Sequence, residues 1–374
     1  MKCTKGAKSF IICAFCVFWW QSTAAQTTTP ALAKLERDAQ KALTAGPFSV
    51  TTKTVTPPSG DKRDYMSQAP YFWPDPKSPN GLPYIRRDGE RNPEIEKINN
   101  HRVKDQMEAA VETLALAYHF KRDEAYAEKA TQLLRTFFLD PQTRMNPNLQ
   151  FGQGIPGIST GRGIGLIETR GLTKVVNAIG LLRGSKAWTK ADQKGMEMWF
   201  GEFLQWMLES KYGRDEAAAR NNHGTYYDVQ VVSFALFLGK KKLAKSVLES
   251  AKQKRIAVQI EPDGRQPLEL ARTRAWSYSV GNLDGLMQLA RLGEDLEVDL
   301  WNYKTADGRS IRKALDFLIP FALGEKKWTY QQLGDWPPQM LFPLIRRAVK
   351  HYKDERFANV PVASDDDRSN LFIK

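Results

Sequence analysis

The chain is poor in cysteine. Among 374 residues there are three, Cys3, Cys13 and Cys16, all near the N-terminus. That excludes a disulfide scaffold. Long apolar runs are also missing. A membrane crossing takes about 20 apolar residues, and the N-terminal apolar stretch Phe10–Trp20 has 11. No convincing series of alternating apolar and polar residues marks a set of strands; Ile256–Ile260 is one short strand at best. The metalloprotease signature HExxH and the Walker A phosphate loop are absent, so those readings lose their usual signals. Hydrophobic residues make up 42% and charged residues 26% of the chain. That is an ordinary globular mixture, which excludes a disordered chain and a polytopic membrane protein.

Residues 1–25 read as a secretory signal. Lys2, Lys5 and Lys8 precede the apolar stretch, and Ser22-Thr23-Ala24-Ala25 offers small residues for cleavage. The alternative is an uncleaved N-terminal anchor. Cleavage removes every cysteine, and with them a cysteine nucleophile and thiolate metal sites. It also removes three of the 55 basic residues and none of the 42 acidic ones, leaving a net charge of +10. A periplasmic or secreted protein with that excess is expected to meet an acidic polysaccharide or an anionic surface rather than nucleic acid; the bland alternative is a merely soluble basic surface. No stable membrane span is expected after cleavage.

Tyr71–Pro93 is dense in proline, glycine, aromatics and arginine and is incompatible with a regular helix or central strand. Such a loop is expected to act as a lid or binding loop. Around it the spacing is helical, predicting helices over Ala31–Leu43, Ile95–Phe120, Asp123–Phe138, Leu166–Leu182, Ala191–Lys211, Thr225–Leu238, Lys241–Lys252, Val280–Arg291, Ile311–Phe321 and Pro338–His351. A Gly-rich stretch, Asn146–Gly165, interrupts them. Thr225–Leu238 is apolar nearly all round and must be buried on most sides. The expected fold is all-α, a ring of helical hairpins with inner helices packed inside outer ones. With no linker in view, residues 26–374 are expected to form one domain. Trp328, Tyr330 and Trp336 read as packing aromatics, and Ala363–Lys374 as a solvated tail.

Two clusters carry the chemistry. In Arg220-Asn221-Asn222-His223-Gly224-Thr225-Tyr226-Tyr227-Asp228, amides, an imidazole, phenols and a carboxylate open a buried helix, where polar groups must pair or face a cavity. Tyr226 and Tyr227 are adjacent, so at most one is expected to reach the site. In Pro267-Leu268-Glu269-Leu270-Ala271-Arg272-Thr273-Arg274-Ala275-Trp276-Ser277-Tyr278, Arg274 and Tyr278 share a face if the segment is helical. A His, a Tyr, an Asn and an Arg suit proton abstraction beside a carboxylate. Amide and guanidinium donors stabilise the charge spreading onto that carboxylate, a base takes the C5 proton of a uronic acid, and an acid protonates the leaving 4-oxygen. An arginine nearby is expected to lower a tyrosine's pKa and favour its phenolate as base.

At these clusters the sequence resembles the helical-barrel alginate lyase family. Asn221-Asn222-His223 followed by aromatics matches that family's Asn-Asn-His motif, and Pro267-Leu268-Glu269-Leu270-Ala271-Arg272 with Tyr278 matches its second motif. Phe72-Trp73-Pro74-Asp75-Pro76 and Leu82-Pro83-Tyr84-Ile85-Arg86-Arg87-Asp88-Gly89 look like the relatives' loop. The resemblance covers roughly Tyr71–Leu286. It implies an incomplete (α/α) toroid that cleaves 1,4-linked polyuronates by β-elimination without a required metal or other cofactor. It assigns acid/base roles to His223 and Tyr278, and neutralisation of the uronate carboxylate to Asn222 and, by preference, Arg272. Gly224-Thr225-Tyr226-Tyr227 departs from the typical Ser-Tyr-Trp, which points to a divergent branch that includes mannuronan and glucuronan lyases.

Further substrate contacts are expected from Tyr71, Trp73, Tyr84, Arg86, Arg87, Gln153, Arg162, Arg170, Asn221, Tyr226, Tyr227 and Arg274; Gln150 and Glu168 sit in the same regions, where Glu168 and Arg170 would alternatively pair with each other. Two other functions compete with the lyase. One is a non-catalytic binder of acidic polysaccharide on the same toroid. The other is an (α/α)-barrel glycoside hydrolase, for which two carboxylates among Asp228, Glu269 and Glu168 would be required.

Overall fold

A computed structural model describes residues 30–349 and 351–354. The expected export signal, residues 1–25, and the expected solvated tail, residues 363–374, lie outside these residues.

The helices in chain order are α1 (Pro30–Ala42), α2 (Asn100–Lys121), α3 (Glu124–Leu134), α4 (Leu172–Leu182), α5 (Lys190–Glu209), α6 (Lys211–Ala217), α7 (Asn222–Phe237), α8 (Lys241–Ala251), α9 (Ala257–Gln259), α10 (Pro267–Leu270), α11 (Ala275–Glu294), α12 (Ile311–Ala322) and α13 (Phe342–Val349). Their boundaries follow local chemistry. At the start of α5 the Thr189 hydroxyl accepts from the Asp192 amide while the Asp192 carboxylate accepts from the Thr189 amide, a reciprocal capping box. Asp123 and Ser310 cap α3 and α12 through their side-chain oxygens. The α2 helix ends at Arg122, whose φ of 57° turns the chain left-handed, a common way for a helix to stop. Several expectations change: Asp123–Phe138 ends in a π-turn over Arg135–Leu139, Pro338–His351 begins with a 3-10 turn over Pro338–Leu341, and Ala191–Lys211 breaks at Ser210. Ile256–Ile260 is not a strand: a π-helical turn over Lys252–Ile256 runs into α9, continuing the amphipathic α8. The segment Leu166–Leu182 is helical throughout but not uniform, with a 3-10 stretch over Gly163–Gly171 before α4.

The α2, α4, α7 and α11 helices pack side by side in that order, and α3, α5, α8 and α12 lie against or behind them. This is the all-α toroid of helical hairpins. The inner helix α7 is buried almost all round, whereas α8 buries only one face. A buried aromatic block fills the space between α5 and α7. Trp199 meets Phe138 edge-on at 4.7 Å and stacks on Phe203 at 5.2 Å, and Phe200 contacts Phe234 at 5.0 Å. These are the offset and edge-on arrangements that aromatic quadrupoles favour. The core continues without a break from Ala39 to Tyr352. Trp276 on α11 forms a second aromatic cluster with Trp328 and Trp336.

Strands are few among the described residues. β1 (Met66–Gln68) pairs in parallel with β4 (Phe151–Gly154), and β2 (Phe72–Trp73) pairs antiparallel with β3 (Ile85–Arg86). The second pair folds the Tyr71–Pro93 loop into a flap at the cavity mouth.

One close approach governs the start of α7. Arg255, buried, forms a two-pronged ion pair with Asp228 at 2.7 and 3.1 Å and donates to the Ala217 and Ala219 carbonyls, closing the end of α6 against α7. Such a fork of charged donors fixes geometry as well as energy. A Cβ on Gly224 would overlap both the Ala219 oxygen and the Arg255 guanidinium. Gly224→Ala is therefore expected to cost about 1–3 kcal/mol of stability. Chemical denaturation of the purified variant checks this, with Gly201→Ala on α5, where nothing lies within 4 Å of the added Cβ, as the comparison in which the same substitution is expected to hold or raise stability.

Candidate active site

The inner helices enclose a cavity of about 2040 Å³. The first two turns of all four contribute to its wall, with the flap and the Gly163–Gly171 stretch closing the mouth. Among the described residues, no group of three or more His, Cys, Asp or Glu side chains is set to hold a metal ion. No described helix is long and apolar enough to cross a membrane.

Asn222 opens α7. Its backbone N–H donates to Glu269 Oε1 at 2.7 Å, and its side-chain amide donates to Glu269 Oε2 at 2.6 Å. Glu269 lies in α10, 47 positions away, and is buried. Burial pushes its carboxyl pKa up, against the opposing pull of the Asn222 hydrogen bonds. The amide keeps one N–H for the cavity. Behind it, Gln259 and Gln266 accept from the buried amide of Asn282, and Gln259 donates to the Asn221 carbonyl. The Asn221 side chain caps α7 through the His223 amide.

His223 follows on the same turn and lines the cavity. Its Nδ1 lies 2.8 Å from Glu216 Oε1. Glu216, on α6, has no exposure at all. Nothing in its surroundings in the sequence, Arg214-Asp215-Glu216-Ala217, singled it out.

Tyr278 stands on the first turn of α11. Its hydroxyl accepts from Arg272 Nη2 at 2.9 Å and donates to the Tyr71 hydroxyl at 2.9 Å, and the Arg272 guanidinium lies 3.9 Å from its ring centroid. The cation thus meets both the ring face and the phenol oxygen. The partner is Arg272 rather than Arg274, whose guanidinium instead donates to the Gly89 carbonyl. The expected lowering of the tyrosine does not follow. Burial, then the hydrogen bond and proximity of Tyr71, push the Tyr278 pKa up, and Arg272 offsets only part of this. In this arrangement Tyr278 holds its proton.

Arg272 is itself engaged. Nε and Nη2 donate to Asp88 on the flap at 2.8 to 3.2 Å, and Asp88 also accepts from Arg86 and from the Thr273 amide. The flap is thereby tied to the turn before α11.

Of the other expected contacts, Tyr71, Arg86, Gln153, Arg162, Arg170 and Tyr226 line the cavity, as do Asn221 and Arg274. Trp73, Tyr84 and Arg87 lie on the flap outside this lining: Arg87 stacks over Trp73 at 5.3 Å, and the Tyr84 hydroxyl donates to Glu94 at 2.6 Å. Tyr227 turns the other way, donating to the Met207 carbonyl, because adjacent helical residues diverge by about 100°. Tyr226 faces the cavity with Arg170 over its ring at 5.0 Å. Gln153 has a left-handed φ of 51° and accepts from Arg162 at 2.8 Å. That conformation is uncommon for a residue with a side chain and is found where the surroundings enforce it. Burial pulls the Arg162 pKa down to about 10. Glu168 does not pair with Arg170; it accepts from Tyr65 at 2.8 Å and Ser67 at 2.6 Å. With Asp228 held by Arg255 and Glu269 by Asn222, each carboxylate named for a hydrolase already has protein donors. Gly157–Gly161 spells the Gly-x-Ser-x-Gly string of serine hydrolases, but Ser159 sits in a bridged turn with Ile155 rather than between a strand and a helix.

The alginate lyase family profile matches residues 49–328. An alginate lyase from Bacteroides ovatus, known from a crystal structure, is 43% identical, with 91% of this chain and 92% of that chain covered and a TM-score of 0.88. A histidine-to-alanine variant of alginate lyase A1-III complexed with tetrasaccharide covers 91% of this chain and 93% of its own at 14% identity, with a TM-score of 0.53, a likeness of fold alone. No curated protein matches at comparable significance. With the profile spanning most of the chain and a solved relative sharing both sequence and fold over nearly its whole length, the protein is a polysaccharide lyase and belongs to the alginate lyase family.

Proposed function

We propose that this protein is an exported lyase that cleaves a 1,4-linked polyuronate, alginate rich in mannuronate or glucuronan, by β-elimination and leaves an unsaturated uronate at the new non-reducing end. Residues 1–25 would serve as the export signal to the periplasm or beyond, and residues 26–374 would form one toroid domain. The observation that carries the reading is the meeting of two motifs at one cavity mouth. Asn222 and His223 begin α7, Tyr278 begins α11, and cationic side chains surround them. The 43%-identical relative is an alginate lyase, which supports a uronate as the sugar.

In this reading the free N–H of Asn222 binds the carboxylate of the sugar under attack. Drawing charge onto that carboxylate acidifies C5. A base removes the C5 proton, the electron pair forms the C4–C5 double bond, the C4–O bond breaks, and the leaving oxygen takes a proton from Tyr278. Substrate must first displace Tyr71 from the Tyr278 hydroxyl. Losing that neighbour removes one cause of the raised tyrosine pKa. Arg272, bound to Asp88 and to the phenol oxygen, then stabilises negative charge on Tyr278 rather than meeting the uronate directly. On a syn substrate such as mannuronate, Tyr278 takes and returns the proton. On an anti substrate such as guluronate, His223 is the base and Tyr278 the acid. Arg170 and Arg274, with no carboxylate partner among the described residues, are the cations proposed to bind neighbouring uronates.

Asp88 is proposed to latch the flap. Burial raises its carboxyl pKa, but the hydrogen bonds from Arg272, Thr273 and Arg86 outweigh this and hold it well below the usual carboxylate range. The latch is therefore at full strength above the unfolded value of about 3.9 and weakens as pH falls below it. Asp88→Asn is expected to speed amide hydrogen exchange over residues 82–92 at pH 7 and to leave exchange in α7 unchanged. Unaltered flap exchange in the variant would count against the latch.

Incubation with polymannuronate, polyguluronate, glucuronan and a pectic polymer, followed by ultraviolet absorbance of the conjugated uronate, tests the reaction. Absorbance is expected to rise on at least one polymer. His223→Ala and Tyr278→Phe are each expected to lower turnover by about 100-fold or more. Full turnover in both variants would overturn the assignment, and binding without any absorbance rise would favour the non-catalytic binder.

A further inference from the structure

Stability offers no reason for Glu216. Its side chain is fully buried, and among the described residues its one side-chain hydrogen bond joins it to His223 Nδ1, at 2.8 Å. The other carboxylate oxygen, Oε2, is buried without a hydrogen-bond partner. Removing a carboxylate from water is costly unless its oxygens are satisfied. Two neighbouring acids meet that condition: Asp228 receives two N–H groups of Arg255, and Glu269 receives two of Asn222. Of the three, Glu216 alone is left half-satisfied, and its single partner is the imidazole that lines the cavity. The fold nevertheless brings it there at close quarters. A Cβ on Gly163 would crowd Asp215 and the Tyr212 carbonyl, so this glycine lets α6 approach the cavity wall.

We infer that Glu216 is a positioning residue for the elimination, holding the His223 ring with Nε2 toward the cavity and favouring positive charge on that ring. The inference rests on the lyase reading of the same site. In this proposal Glu216 is the acceptor, Nδ1 carries the hydrogen and Nε2 is the nitrogen left for substrate. The same negative charge stabilises an imidazolium whenever Nε2 takes or holds a proton, as the orienting carboxylate does in hydrolase triads. Both stereochemical routes use this. On an anti substrate the C5 proton arrives at Nε2. On a syn substrate an imidazolium faces the uronate carboxylate and shares its charge with Asn222. The other charged or titratable groups around the pair come from different elements: Arg162 ahead of the Gly163–Gly171 stretch, Tyr227 on α7, Glu269 on α10, Arg272 after it and Tyr278 on α11. None of them hydrogen-bonds to the imidazole ring, so Glu216 is its one direct protein partner among the described residues.

Glu216→Gln tests this, since it keeps the shape and an accepting oxygen while removing the charge. On a polymer that the wild type cleaves, kcat is expected to fall about 100-fold while KM stays within about threefold. One limb of the kcat profile is expected to move to lower pH by about one unit. It would be the acid limb if His223 is the base and the alkaline limb if His223 holds its proton against the carboxylate. The thermal midpoint is expected to stay level or rise, because a buried charge has gone. Wild-type kcat and unmoved limbs in Glu216→Gln would overturn the inference, as would a fallen midpoint with unchanged turnover per folded molecule. Imidazole nitrogen NMR gives a readout independent of turnover. Nδ1 is expected to carry the hydrogen on neutral His223 in the wild type, and Glu216→Ala is expected to shift it toward Nε2. An unchanged tautomer would overturn the inference even if the protein cleaved none of the polymers. Inactivity of the wild type on every polymer, with the tautomer shift intact, would sink only the lyase reading.

Discussion

The Asn222–Glu269 pair is the contact on which the site depends. A helix that starts inside a protein exposes backbone N–H groups that have no partner within the helix. The α7 helix begins in this way, buried, with polar residues on its first turn. Glu269 answers the need by accepting from both the backbone and the side chain of Asn222. In doing so it ties α7 to α10 and to the turn that leads into α11. The amide network of Gln259, Gln266 and Asn282 and the Arg255–Asp228 pair complete the support. Two stretches far apart in the chain are thereby held at one edge of the cavity, each with its reactive side chain on the first helical turn.

The remainder of the site is a problem of excess positive charge. The cavity wall carries many arginines, and each must be satisfied without losing the capacity to hold an anionic polymer. The fold divides them. Arg272 is given to Asp88 and the Tyr278 hydroxyl, Arg162 to Gln153, and Arg86 to Asp88. Arg170 faces the cavity over the Tyr226 ring, and among the described residues the Arg274 guanidinium hydrogen-bonds only to the Gly89 carbonyl. These engaged arginines position the acid/base groups and the flap, while Arg170 and Arg274 leave positive charge beside the two motifs for substrate. Such attraction between a cationic groove and a polyanion weakens with added salt.

Much of this was legible in the sequence. Three-to-four spacing of apolar residues announced the helices, and the all-round apolarity of Thr225–Leu238 announced an inner one. The Asn221-Asn222-His223 and Pro267–Tyr278 clusters marked the chemistry, because polar residues opening a buried helix need partners or a cavity. Other features were silent. Glu216 lies in a charged stretch that reads as a solvated helix face. Asp88 is one acid among the many charges of a loop. The Ile256–Ile260 strand reading failed because a short apolar run carries no period of its own; the run instead extends the α8 helix, with Gln259 bonded to Asn221, Thr225 and Asn282.

Local propensity and periodicity are properties of neighbours in the chain, so the sequence by itself determined the helices, the irregular flap, the basic surface and the residue types at the two motifs. Pairing across the chain is different. Glu269 with Asn222, Asp88 with Arg272 and Tyr71 with Tyr278 each join residues far apart in the chain, and Glu216 with His223, though only seven positions apart, joins two separate helices. Whether Tyr278 is pushed toward phenolate by an arginine or held neutral by burial depends on how deeply its hydroxyl is removed from water. Desolvation is a property of the assembled cavity, and only the tertiary structure decided it.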